Sequence, residues 1–195
     1  ELARFYDTAY RKHAFTTAEG KDITIDSGFY GWRMNRSEET EELINLIKQG
    51  AVVEKVPVYI QTAASHGERD YGDTYVEINL SKQHLYFWEK GNIIIESDFV
   101  SGNMVKGMAT PGGIFPITYK ERNAVLKGTN YRTPVSYWMP FNGGIGMHDA
   151  PWRKQFGGTI YETNGSHGCI NLPVDVAREI YEHVAAGMPV ICYYE

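Results

Sequence analysis

Two short segments hold the residue types that do acyl-transfer chemistry: Gly144-Ile-Gly-Met-His-Asp149 and Gly165-Ser-His-Gly-Cys-Ile-Asn-Leu-Pro173. A cysteine kept for packing usually sits among aliphatics. Cys169 instead follows Ser166, His167 and Gly168, small or polar residues that leave a thiol reachable. Such a thiol becomes a nucleophile when its thiolate is stabilised and a histidine can take its proton. Two histidines are available. His167 shares a side with Cys169 on an extended segment, but so close a neighbour seldom brings a ring nitrogen onto the sulfur. His148 ends an alternating stretch and can be delivered from across the fold, so it is the favoured base, with His167 as a supporting or oxyanion-side group. Asp149, or a backbone carbonyl near it, would orient the His148 ring as the third member of a triad. Gly168 permits a sharp turn and close backbone approach, and N–H groups around Gly168 and Cys169 would face a developing oxyanion.

Other chemistries fit these residues less well. Two histidines and a cysteine could hold zinc, but Cys-x-x-Cys spacings and a fourth ligand are missing, so no metal is expected. Gly112-Gly113 and Gly143-Gly144 read as turns, since neither leads from a strand into a helix with a lysine as a phosphate loop does. A papain-like protease would place its cysteine before the histidine. Cys192, in Val190-Ile191-Cys192-Tyr193, reads as a buried strand residue, and a disulfide to Cys169 would disable the thiol that the motif presents.

The remaining elements must position these groups. The chain has 195 residues, 43% of them hydrophobic and 13% aromatic, a composition that leans toward β-structure and ligand-gripping surfaces. A net charge of −5 without a Lys/Arg cluster argues against a nucleic-acid partner. The chain opens on Glu1 without a signal peptide and reads as a piece of something longer, with an anchor or signal upstream. Residues 21–25 and 56–60 predict strands. Between them, Ser37 as N-cap, acids in the first turn, apolar Leu43, Ile44 and Ile47 on one face and Gly50 as a stop predict a helix. Residues 1–62 therefore form a small α+β fragment, and 63–72, without apolar periodicity, a linker. From residue 73 to 195 the pattern is mainly β: alternation predicts strands over 75–80, 83–88 and 93–100. One helix, 174–186, starts at Pro173 and ends at Gly187.

His148, a spacer of 17 residues, and Ser166-His-Gly-Cys-Ile-Asn171 together resemble the signature of the L,D-transpeptidases, the YkuD-type catalytic domain. Thr110-Pro-Gly-Gly-Ile-Phe115 is similar to that family's Thr-Pro-x-Gly-x-Phe hairpin, and His148-Asp-Ala-Pro-Trp152 to the segment after its first histidine. The likeness covers roughly residues 73–195. Phe29-Tyr-Gly-Trp32 and the acidic helix resemble the end of a peptidoglycan-binding-type domain. The resemblance implies a β-sandwich-like fold and cofactor-free acyl transfer outside the cytoplasm, on the wall side of a bacterial membrane. Cys169 would attack a tetrapeptide stem at the bond before its terminal D-Ala, and the side-chain amine of an acceptor stem's diamino acid would take the acyl group. His148 would carry the proton, while Ser166, His167 and Gly168 shape the turn and oxyanion hole. Asn171 would brace the site, and Tyr131, Trp152 and Met147 would contact substrate. Trp138 and Phe141 could form further walls or equally belong to the core. Donor and acceptor stems are the implied partners and carbapenem β-lactams the implied inhibitors. A cysteine hydrolase trimming the same stems and an idle wall-binding module stay open as alternatives.

Overall fold

The structure is a computed structural model that describes residues 1–67, 69–128 and 131–195. Glu68, inside the expected linker, and Asn130, beside Tyr131, lie outside the described residues. The N-terminal part comprises α1 (Leu2–Tyr6), β1 (His13–Thr16), β2 (Asp22–Ile25), β3 (Arg33–Met34), α2 (Arg36–Lys48) and β4 (Tyr59–Gln61). The rest comprises β5 (Tyr75–Asn79), β6 (His84–Glu89), β7 (Asn92–Asp98), β8 (Gly113–Pro116), β9 (Glu121–Lys127), β10 (Arg132–Asn142), β11 (Ile145–Asp149), α3 (Ile160–Asn164), β12 (Ile170–Leu172), α4 (Val174–His183) and β13 (Pro189–Tyr193).

Period-two alternation gives each strand one apolar face, and two such faces must meet to leave water. One sheet runs β7-β6-β5-β13-β8 and the other β12-β11-β10-β9. Their inner residues, among them Val76, Ile78, Phe87, Phe115, Met139, Phe141, Ile170 and Leu172, form a single core. Helix α4 closes it with Ala177 and Ile180. The fold is mainly β, sandwich-like, with a C-terminal helix.

The N-terminal residues dock on the outer side of β5 and β13. Phe15, Ile25 and Tyr30 pack there with Tyr75, Ile191 and Tyr193 in a second, aromatic-rich cluster. Gly28 pairs with Ile114 so closely that a Cβ on it would lie 2.2 Å from the Ile114 carbonyl oxygen, and its φ of +100° suits glycine alone. Glu77, fully buried on β5, joins the two parts. Its carboxylate accepts from the Ala18 N–H, the Tyr193 hydroxyl and the Trp88 indole, each at 2.8 Å. Burial outweighs these donors and pushes its pKa up. Within 63–72, expected as a linker, Asp70 and Tyr71 are buried, the tyrosine inside the same aromatic cluster.

Several local expectations change. Helix α2 is capped by Asn35, whose side chain accepts from the Glu38 N–H, and not by Ser37. Its Ile44 and Ile47 are exposed, and Glu39, paired with Lys55, is the residue that it buries. Strand β4 starts at Tyr59 rather than 56. Helix α4 ends at His183 because Val184 turns extended and inserts its side chain into the core. The short helix α3 was not anticipated; five residues offer no readable period.

Replacing Glu77 with Leu strands three buried donors at 1–3 kcal/mol apiece and should cost about 3–5 kcal/mol. Denaturant unfolding measures it; a loss below about 1 kcal/mol would contradict the role assigned to this carboxylate.

Candidate active site

The catalytic cysteine candidate sits on a tightly tied loop ahead of β12. The Ser166 hydroxyl donates to the Cys169 carbonyl (2.6 Å) and accepts from the Gly168 N–H (3.0 Å), so the turn wraps around the serine oxygen. Gly168 has φ +121°, a conformation that side chains resist. Its carbonyl accepts from the Thr110 hydroxyl (2.7 Å), which in turn accepts from the Gly102 N–H (3.0 Å). Thr110 thus pins the cysteine loop to the start of the Thr-Pro-Gly-Gly hairpin. Residues 101–103 hold the other side: Ser166 N–H donates to Ser101 and Asn103 N–H to Ser166.

The histidine arrives by a different route. Strands β10 and β11 form an antiparallel hairpin whose two-residue turn is Gly143-Gly144, with φ +56° at Gly143. Strand β11 then pairs in parallel with β12, setting His148 opposite Asn171, two residues beyond Cys169. The His148 Nδ1 lies 2.8 Å from the Asp149 carbonyl oxygen. A carbonyl only accepts, so Nδ1 carries the proton and Nε2 is bare. Onto that bare nitrogen the Asn171 amide donates at 3.1 Å, while the Asn171 side-chain oxygen accepts from Arg153 Nε at 2.7 Å. The four residues form one directional chain, from Arg153 through Asn171 and His148 to the Asp149 carbonyl.

The alternative of a backbone carbonyl as ring orienter therefore holds, and the Asp149 carboxylate has other work. It accepts from the Ser136 and Tyr137 N–H groups (2.8 and 2.9 Å), tying β10 to β11.

A cavity of about 240 Å³ opens over this chain, lined by Leu126, Tyr131, Thr133, His148, Trp152, Arg153, Gly165, Ser166, His167, Cys169 and Asn171. His148 is buried between the rings of Trp138 and Trp152, with centroids 5.9 and 6.0 Å away. Desolvation drives its pKa below the ordinary 6.5, the nearby Arg153 charge adds to this, and the bond to the Asp149 carbonyl opposes it. The Cys169 thiol packs beside Ala124, Val135 and Trp138 and donates to the Gly144 carbonyl at 3.6 Å. Burial pushes it up to about 11, with a bond from the Gly146 backbone pulling the other way. The resting pair is thus a neutral thiol and a neutral imidazole.

Most of the expected residues meet here. Cys169, His148, Ser166, His167, Tyr131, Trp152 and Asn171 line one cavity. His167 is exposed and stacks on Tyr131, centroids 4.7 Å apart, forming the outer rim. One expectation fails, and two positions left open between wall and core are decided as core. Met147 points into the core and is fully buried, because alternation on β11 turns the neighbour of His148 to the opposite face. Phe141 is core, and Trp138 is buried beneath the cavity. The Gly168 N–H is occupied by Ser166, whereas the Cys169 N–H has no partner among the described residues and is the one left for an oxyanion. Thr110 and Arg153 were overlooked. Arg153, five residues after His148 and directly after the His148–Trp152 segment, is findable from the sequence as a cation near the base.

The family model of the L,D-transpeptidase catalytic domain (YkuD) matches residues 73–192. The chain belongs to that family. Along 98% of its length it superposes on an Enterococcus faecium L,D-transpeptidase, crystallised as a cysteine-to-serine variant, with a TM-score of 0.83, 35% identity and 78% of that chain covered. The isolated catalytic domain of the E. faecium enzyme acylated by ertapenem is 42% identical, with 63% of this chain and 98% of that one covered and a TM-score of 0.57. Among curated relatives, the Bacillus subtilis protein YciB is 29% identical over 56% of this chain, which spans 60% of YciB. L,D-transpeptidase 2 of Mycobacterium tuberculosis is 27% identical over 46% of this chain and 20% of its own length. Among the described residues of this transpeptidase domain and its N-terminal part, no helix is long and apolar enough to cross a membrane.

Asp149→Ala should lower stability by about 2–4 kcal/mol through two orphaned N–H groups, while Asp149→Asn, which keeps an acceptor oxygen, should cost much less. Thermal unfolding separates them. Equal and small losses for both would show that the carboxylate does not clamp the strands.

Proposed function

We propose that this L,D-transpeptidase domain joins peptidoglycan stem peptides with Cys169 as nucleophile and His148 as proton carrier. The observation that carries the reading is the His148 tautomer: with Nδ1–H given to the Asp149 carbonyl, the lone pair lies on Nε2 of a ring that lines the same cavity as the thiol. In the first half-reaction the sulfur attacks the carbonyl between the third residue and the terminal D-Ala of a donor tetrapeptide. The Asn171 amide gives up Nε2, the thiol's proton leaves the Gly144 carbonyl for that nitrogen, the C–S bond forms, the C–N bond breaks, and the proton passes to the departing amine. The Cys169 N–H stabilises the oxyanion. In the second half-reaction the side-chain amine of an acceptor stem attacks the thioester. A C–N bond forms, the C–S bond breaks, and the amine's proton returns to sulfur through Nε2.

A neutral dyad suits this substrate. A permanent thiolate would be the stronger nucleophile at rest but also the more easily oxidised, and the apolar surroundings of Cys169 disfavour it. Tyr131, His167 and Trp152 shelter the thioester and leave an opening for a long acceptor chain. The work belongs on the wall side of the membrane, where cross-linkable stems are found.

β-Lactam acylation at Cys169 tests the nucleophile. Since the E. faecium relative is acylated by ertapenem, intact mass after exposure to a carbapenem should show one adduct on the wild type and none on a folded Cys169→Ala variant. An adduct persisting on that variant would overturn the assignment. Incubation with a tetrapeptide stem should give D-Ala and a cross-linked dimer; tripeptide alone would make the domain a hydrolase.

The pH dependence follows from the sign of the shifts. The base works only while Nε2 is unprotonated, and its pKa is depressed below 6.5, so acylation should hold a plateau down through that pH and fall only beneath it. Iodoacetamide modification of Cys169 should be slow near neutrality and climb steeply toward the thiol's pKa of about 11. An acid limb at or above 6.5, or a thiol titrating below 8, would contradict the neutral dyad.

A further inference from the structure

Arg153 has more donors than its neighbours use. Its Nε–H goes to Asn171, and no other hydrogen bond or carboxylate engages the guanidinium among the described residues. It is half-buried, and desolvation alone lowers its pKa. Among the residues lining the cavity it is the one permanent cation, and none is acidic. A guanidinium withdrawn from water without a counter-ion costs free energy, and its free edge presents the paired N–H geometry that carboxylates fit.

Its position matters as much as its charge. Asn171 alone separates Arg153 from Nε2 of His148, the nitrogen that hands a proton to the departing amine. In a stem cleaved one residue from its end, that amine and the terminal carboxylate hang on the same carbon. Protonation at Nε2 therefore brings the carboxylate into the neighbourhood that Asn171 bridges.

We propose that Arg153 binds the free terminal carboxylate of the donor stem and so selects donors that end one residue beyond the scissile bond. The inference rests on the transpeptidase reading above. The carboxylate takes no part in bond exchange: the C–S bond forms, the C–N bond breaks, the proton travels through Nε2, and the ion pair leaves with the released amino acid. Longer stems and stems with an amidated end place no charge there.

The test compares a tetrapeptide stem bearing a free carboxylate with the same stem ending in a carboxamide. Release of the terminal residue and formation of the acyl-enzyme by intact mass are followed in wild type, Arg153→Gln and Arg153→Lys. Wild type should prefer the acid by roughly 10–100-fold in kcat/KM, the range of a charge-assisted hydrogen bond. Arg153→Gln should lose that preference, with the amide donor affected far less than the acid. Arg153→Lys, which keeps the charge without the fork, should show a preference smaller than wild type. The idea is overturned if Arg153→Gln slows both donors by one common factor and keeps the wild-type ratio, which is what a residue that only positions Asn171 would do. A lysine preference as large as the wild type's would count against the forked pair. Release from both donors by wild type at equal rates overturns this inference alone; release from neither overturns the transpeptidase reading and this inference with it.

Discussion

Parallel pairing of β11 with β12 fixes the chemistry of this molecule. That register sets His148 against Asn171 and, through the strand's lead-in loop, brings Cys169 to the same cavity. A one-residue slip would turn His148 into the core and bring Met147 or Asp149 to the cavity face. The fold resists this from both sides. The buried Asp149 carboxylate locks β11 to β10, and Val100 exchanges backbone hydrogen bonds with Asn171 to lock β12 from its other edge. The core residues Met147, Ile170 and Leu172 hold the opposite face.

Given that register, the electrostatics follow from burial. The ring of His148 is enclosed by tryptophans and given one fixed acceptor, so it stays neutral with a defined tautomer. The thiol lies in an apolar corner beside Ala124, Val135 and Trp138, with backbone groups as its hydrogen-bond partners among the described residues, and it stays neutral too. Both groups are therefore neutral at rest and the site does not store an ion pair; among the described residues the thiol donates to Gly144 and Nε2 accepts from Asn171. Arg153 and Asn171 extend the hydrogen bonding of the ring outward, so the ring is held from both nitrogens.

Much of this could be read from the chain before folding. The Ser-His-Gly-Cys-Ile-Asn block and the distant His148 named the nucleophile candidate and its base because their chemistry is carried by residue type. The alternating strands β5, β6 and β7 were legible because period-two patterns follow directly from one-sided burial. Side-chain direction near the site was less legible. Met147, expected to contact substrate, is turned inward by the pleat, and Phe141 and Trp138, open between wall and core, are buried. The role of Asp149 was split between carboxylate and carbonyl, and only three-dimensional strand pairing could decide between them. Thr110 and Arg153 act across large separations in sequence or through a third residue, relations that composition and spacing do not encode. The N-terminal residues carried the weakest pattern, since what holds them is one buried carboxylate, Glu77, and an aromatic cluster shared with the catalytic sheet.

Everything at the site turns on a resting histidine that is neutral, with its proton on Nδ1 and its lone pair on Nε2. Nitrogen-15 chemical shifts of the His148 ring at pH 7 in the free enzyme report this directly. One protonated and one bare nitrogen are expected, with the protonated Nδ1 hydrogen-bonded. Two protonated nitrogens, the mark of an imidazolium paired with a thiolate, or a proton residing on Nε2, would contradict it.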